Sequence, residues 1–118
     1  MKKEPRDFLF LLEDIVHSMH QILEYTSRFD KDSFSNDQKT IDAVIRNFEI
    51  IGEAVRNLPQ ELKVKYPEIP WEEMYRLRNR LSHEYFGIDY DILWDILRLH
   101  IPENLKQVEE VISNERAH

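Results

Sequence analysis

The sequence has no cysteine. That excludes disulfides, a Cys-ligated zinc site and a thiol nucleophile, and it agrees with a reducing compartment. Glycine is almost as scarce, with two residues in 118 against five prolines. A β-sandwich or barrel turns roughly every ten residues and spends glycine on those turns, so an all-β fold is excluded. No apolar run approaches the roughly 18 residues of a membrane span, and the segment MKKEPRDFLFLLEDIVH meets acids too soon for a signal peptide. The expectation is a cytoplasmic protein that binds no membrane. Basic residues are few as well, 16 against 23 acidic for a formal charge of −7, which argues against a general nucleic-acid coat.

What is present suits one domain over residues 1–118: 42% of residues are hydrophobic and 33% charged. After Pro5, the residues Phe8, Leu11, Leu12, Ile15, Met19, Ile22, Leu23 and Thr26 recur at helical spacing and predict a first helix to about Phe29. Residues 30–36 are polar and turn-like, and Ser35 followed by Gln38 has the spacing of a capping box for a second helix. That helix carries a stripe of Ile41, Val44, Ile45, Phe48, Ile51, Gly52 and Val55, and a weaker one of Ala43, Ile50 and Ala54, so two faces ask for burial. Glycine inside a helix costs about 1 kcal/mol relative to alanine. Close approach of a neighbouring backbone is the physical reason to place Gly52 there. Pro59 opens a short helical segment through Tyr66, and Pro67 and Pro70 bracket a bend. A third helix starts at Pro70 and runs to about Phe86, with Gly87 as its C′ residue. Asp89 is the N-cap of a fourth, reaching about Glu115, in which Pro102 removes the bond to the Arg98 carbonyl and predicts a kink or break. The expected fold is all-α, an antiparallel bundle of about four main helices.

The one basic island, Arg76, Arg78 and Arg80 between Met74 and His83, contains no acid. At 100° per residue, Met74, Leu77, Leu81 and Tyr85 define the inward face of the third helix. Beside it runs a polar strip in the order Arg78, Ser82, Tyr75, Asn79, His83, and Arg76 and Arg80 lie beyond, towards solvent. Arg78 and His83 are about 140° apart, too far round for one copy to aim both easily at one phosphate. A two-fold dimer would bring two such strips into one cleft. Such a cleft has the parts for RNA cleavage without a metal. Histidine moves the proton of the ribose 2′-OH and that of the leaving 5′-oxygen, and arginine holds the charge of the phosphorane between. Neighbouring arginines disfavour a protonated His83 and so favour its action as a base. Arginine and histidine at this separation also arise by chance, and the simpler account of the bare spacing is a solvated helix face.

The longer stretch NFEIIGEAVRNLPQELKVKYPEIPWEEMYRLRNRLSHEYFGID, from Asn47 to Asp89, closely resembles the HepT-like toxins of the HEPN superfamily. The matching elements are Glu49 to Ala54, Leu58–Pro59, Pro67 to Trp71, the R-N-x-x-x-H set of Arg78, Asn79 and His83, and Tyr85 to Gly87. The resemblance extends to the leading helix and to the DILWDIL opening of the fourth. It implies a homodimeric, all-helical, HEPN-like, metal-independent ribonuclease without a cofactor, serving as the toxin of a toxin–antitoxin pair. The partner it implies is a minimal, MntA-like nucleotidyltransferase that transfers AMP to a tyrosine. By position, Arg78 and His83 are the catalytic pair, Asn79 assists them, and Tyr85 receives AMP. Tyr85 follows Arg78 by about two turns, so AMP there would crowd the groove and compete for the arginine. Arg76 and Arg80 are the expected RNA-binding residues.

Other features have plainer explanations. His17 and His20 with Glu13 and Glu24 are read as ordinary i, i+4 pairs on the solvated side of the first helix, not as a metal site. Arg46, Glu49, Glu53 and Arg56 form a charged ladder, a solvated or interfacial face. Trp71 and Trp94 are assigned to packing before base stacking. Two alternatives to the nuclease remain, a non-catalytic HEPN subunit that partners a nucleotidyltransferase and a plain helical dimerisation protein.

Overall fold

The stripe of the first helix becomes a wall of the core. Leu12, Ile15, Met19, Ile22 and Thr26 are fully buried in α1 (Pro5–Thr26), and the Thr26 hydroxyl donates to the Ile22 carbonyl at 2.8 Å, which makes its burial tolerable. The computed structural model describes residues 5–83 and 89–117, with side chains for 8–81 and 89–117. α1 ends three residues before the expected Phe29. Residues expected as a turn form a short helix, α2 (Lys31–Ser35), because Asp30 and Ser33 build a reciprocal capping box and Phe34 is fully buried. The Ser33 backbone N–H holds the Asp30 carboxyl below its ordinary pKa, so this cap is present at neutral pH and is lost as acid protonates it.

The central helix is α3 (Gln38–Asn57), packed against α1 on one side and against α5 (Trp71–His83) on the other. Its N-cap is Asp37, which accepts from the Thr40 N–H at 3.0 Å, and not Ser35, whose hydroxyl donates instead to the Lys31 carbonyl. The main stripe from Ile41 to Val55 is buried as expected. In the weaker one Ala54 is buried and Ala43 and Ile50 are half-buried. Pro59 opens α4 (Gln60–Lys65), and the bend that follows is held by Trp71, whose indole N–H donates to the Tyr66 carbonyl at 3.0 Å. The expected end of α5 near Phe86 and its Gly87 C′ residue lie outside the described residues.

Asp89 caps α6 (Tyr90–Asp95) through the N–H groups of Asp91 and Ile92, and the chain continues through a π-helical turn (Ile96–His100) into α7 (Ile101–Arg116). The disturbance expected at Pro102 is this turn. Proline cannot bond the Arg98 carbonyl and its ring crowds it, and widening the turn makes room: the Ile101 N–H reaches back five residues to Ile96. Four long helical units, α1, α3, α5 and α6 through α7, thus form the all-α bundle. None of the helices among the described residues is long and apolar enough to cross a membrane.

Long-range ties replace the local pairs expected on α1. Glu13 meets Arg116 at 3.0 Å and His20 meets Glu109 at 3.7 Å, so α1 and α7 run antiparallel, while His17 accepts from Gln21. Glu115, at the far end of α7, accepts from Tyr66 Oη at 2.6 Å and Lys65 Nζ at 2.8 Å. Burial first, and then this bond to Glu115, push the Tyr66 phenol above its ordinary pKa.

The π turn also aims Arg98 at the end of α1. Its guanidinium donates to the Thr26 and Phe29 carbonyls at 2.7 and 2.9 Å, and it stacks 4.3 Å over Trp94, which in turn packs on Phe34. Positive charge at a helix C-terminus satisfies orphan carbonyls and opposes the helix dipole. Arg98→Ala should therefore cost about 1–2 kcal/mol of stability. Urea denaturation followed by circular dichroism reads this directly, and an unchanged midpoint would mean that Arg98 is not the tie between these helices.

Candidate active site

α5 is oriented by its apolar side, with Met74 and Leu81 buried and Leu77 half-buried. It lies antiparallel to α3: Arg78 faces Gly52, while Trp71 and Tyr75 share a cavity with Val55 and Arg56 one turn further along α3. The contact at Gly52 is very close. A Cβ placed there would overlap the Arg78 Cβ and lie 2.6 Å from its Cγ. The sequence called for close approach at Gly52, and what approaches is the root of Arg78. No rotation of the flexible end of the arginine could relieve that overlap.

Its guanidinium is distributed among three surroundings. Nη1 donates to Asn79 Oδ1 at 2.9 Å, and Nη2 lies 3.6 Å from Glu53 Oε2. Nε is buried without a hydrogen-bond partner among the described residues. The Glu53 side chain is 52% exposed and that of Arg78 29%. An ion pair so open to water contributes at most about 1 kcal/mol. The seat at Gly52, more than the ion pair, therefore fixes where the arginine is. Because Glu53 is largely in water, it can be exchanged for a phosphate oxygen at small cost.

Arg78 opens onto a groove of about 380 Å³ between α1 and α3, floored by Leu11, Ile50 and Ala54 and edged by Asp14, Arg46, Glu49 and Glu53. Three members of the charged ladder of α3, Arg46, Glu49 and Glu53, thus edge this groove, while Arg56 borders the cavity at Trp71 and Tyr75. Glu53 was the residue that the sequence did not single out as a partner of Arg78. Its signal was its place beside Gly52, since a residue next to a point of close approach reaches the helix that approaches.

The remaining predicted residues are distributed around α5. Arg76 and Arg80 are exposed and border a different cavity, shared with α1, α3, the π turn and α7, and Arg76 Nε lies 3.5 Å from Glu72. His83 belongs to the last described turn of α5, and its side chain lies outside the described residues. By helix geometry its backbone is about 140° and 7.5 Å from that of Arg78. Tyr85 lies outside the described residues. The structure thus brings Arg78, Asn79 and Glu53 together and sets Arg76 and Arg80 apart from them.

Comparison with known proteins gives a consistent result. The family profile described as "Ribonuclease HepT-like" matches residues 15–111. A Methanocaldococcus jannaschii protein named "Putative RNase MJ0127" is 47% identical over 96% of this chain and 91% of its own length. A Thermococcus cleftensis protein named "Probable ribonuclease HepT" is 45% identical over 86% of this chain and 90% of its own length. No solved structure matches significantly.

Gly52→Ala tests the seat of Arg78. Alanine gains about 1 kcal/mol of intrinsic helix propensity. Against that, the overlap with a side-chain root forces α3 and α5 apart, at a typical overpacking cost of about 1–3 kcal/mol. The expected outcome is net destabilisation in thermal unfolding. A more stable Gly52→Ala protein would show that the two helices can separate freely and that Arg78 is not seated by this contact.

Proposed function

The chain belongs to the HepT-like ribonuclease family, and from that premise we propose that it is a metal-independent endoribonuclease whose active cleft forms between two copies of the chain. The observation that carries this reading is the seating of Arg78. A guanidinium fixed at its root, bonded to Asn79 through Nη1 and paired through Nη2 with a half-exposed Glu53, is ready to take a phosphate oxygen. It would then stabilise the charge that develops on the pentacoordinate phosphorus. His83 supplies the proton transfers. One imidazole takes the 2′-OH proton, the 2′-oxygen attacks phosphorus, and the P–O5′ bond breaks as a second imidazole protonates the leaving oxygen. The products are a 2′,3′-cyclic phosphate and a 5′-OH.

Dimerisation supports this chemistry in two ways. It supplies the second imidazole, and it relieves the 140° divergence of Arg78 and His83 within one copy. The groove beside Arg78 suits a two-fold contact, because its apolar floor and its mixed edge of Arg46, Asp14, Glu49 and Glu53 are complementary to themselves. In the cell the nuclease is read as a toxin that an MntA-like nucleotidyltransferase silences by placing AMP on Tyr85, two residues beyond His83. The added phosphate would compete with RNA for the arginines. The competing reading, a silent HEPN subunit, takes the Arg78–Glu53 pair as a structural tie only.

The purified protein should cut RNA in the presence of EDTA. Either His83→Ala or Arg78→Ala should lower cleavage by about 100-fold or more with the helical signal unchanged. Cleavage that survives His83→Ala, or that needs added metal, excludes this mechanism, and no cleavage at all favours the silent subunit. A monomer in sedimentation at micromolar concentration would remove the shared cleft. For control, Tyr85→Phe should stay active and escape silencing by the transferase and ATP. Silencing of that variant without a mass change would assign inhibition to binding alone.

A further inference from the structure

The cavity bordered by Arg76 and Arg80 has a character unlike that of the groove at Arg78. It encloses about 440 Å³, within the range of about 300–1,000 Å³ usual for small-molecule sites. Leu77 and Ile96 give it half-buried apolar walls with the buried Met19, Phe48 and Met74 behind them, and Arg76, Arg80 and His100 stand among its polar lining, with Glu73 as the acid. In a chain of formal charge −7, two of the three arginines of the basic island, Arg76 and Arg80, border this apolar pocket. The π-helical turn supplies Ile96 and His100, and Ile101 follows it. The backbone irregularity that Pro102 imposes therefore forms part of the wall, and such turns recur at functional sites.

Apolar walls take the flat faces of an unpaired base, and guanidinium groups at the mouth take the phosphate attached to it. We propose that this cavity is a base-binding subsite that receives an unpaired nucleobase of the RNA next to the scissile phosphate, with Arg76 and Arg80 on the phosphate that carries it. The inference rests on the ribonuclease reading and deepens it by naming unpaired RNA as the substrate. Its register follows from the helix. Arg80 precedes His83 by three residues, about 4.5 Å along the axis and 60° around it, so a strand engaged at His83 passes the mouth of the cavity. The Arg76–Glu72 pair does not oppose this, because both side chains are mostly exposed and readily exchange partners.

The sequence offers a direct probe. It has three methionines, and two of them, Met19 and Met74, line the cavity, while the third is Met1. In the intact protein labelled with 13C at the methionine methyls, titration with 5′-AMP or 5′-UMP should shift the Met74 and Met19 signals and leave Met1 in place. Inorganic phosphate should leave all three unmoved. The double variant Arg76→Ser, Arg80→Ser should weaken nucleotide binding about tenfold and raise KM for short single-stranded RNA by a similar factor, with kcat little changed. Methyl signals indifferent to nucleotide in a protein that does cut RNA would overturn the subsite and leave the nuclease standing. Equal shifts with inorganic phosphate would reduce the site to anion binding and overturn it as well. Shifts that follow protein concentration without nucleotide would assign the cavity to a second copy of the chain. Nucleotide-induced shifts in a protein that cuts no RNA would keep the nucleotide site and refute the nuclease reading instead.

Discussion

A missing Cβ at Gly52 is the constraint on which the arrangement of the candidate site depends. It lets the root of Arg78 lie directly on α3, and this fixes both the separation of α3 and α5 and the rotation of α5 about its axis. Once that rotation is fixed, every other position on α5 has its direction. Met74 and Leu81 go to the core, Asn79 stays beside Arg78, and Arg76 and Arg80 turn towards the cavity bounded by the π turn. The weak Arg78–Glu53 ion pair could not have set this geometry, since an exposed pair at 3.6 Å is worth less than the packing of one methylene group or two. It sets only where the tip of the arginine rests.

Pro102 has a comparable effect in the last helical unit. By denying the Arg98 carbonyl its bond it widens one turn of helix, and that turn brings Arg98 over the C-terminus of α1 and Ile96 and His100 to the cavity wall. Gly52 and Pro102, of the two residue types poorest in helix propensity, both sit inside long helical units. The glycine admits the root of Arg78 beside one cavity, and the proline accompanies the widened turn that lines the other.

Much of this was legible in the sequence because it depends on local rules. Apolar spacing identified the buried stripes of α1 and α3. A glycine inside a helix signalled close packing, a proline signalled a break, and Asp89 was recognised as a cap because its partners are the N–H groups two and three residues on. What was misjudged required either a choice between two local solutions or a partner distant in sequence. Ser35 and Asp37 could each have capped α3, and the carboxylate won. Asp30 and Ser33 made a helix of a stretch that composition read as a turn. Glu13 and His20 had adequate partners within α1, yet they pair with Arg116 and Glu109, which no spacing along α1 could reveal. At the candidate site Arg78 and Asn79 were legible from their motif, whereas Glu53 was not, because its role exists only after α3 and α5 meet. Helix periodicity had already set Arg78 apart from Arg76 and Arg80, but the two cavities that they border appear only once α5 is packed.

The acidic body and the arginine island can be reconciled by distance. At physiological ionic strength the Debye length is about 8 Å, so a phosphate at the mouth of either cavity responds chiefly to charges within one or two side chains of it. Arg76, Arg78 and Arg80 lie within about 6 Å of one another along the axis of α5, so at least one of them is always within that reach. On the proposed function, the formal charge of −7 withholds from RNA the loose, sequence-indifferent association that basic proteins have with any polyanion. Attraction begins only where a strand comes into contact with α5. A strand whose bases are paired presents phosphates alone, while one with an unpaired base can add apolar contact in the cavity beneath Arg76 and Arg80. On that reading the net negative charge becomes a source of selectivity, because short-range contact must supply most of the binding energy that a basic protein would draw from the phosphate backbone.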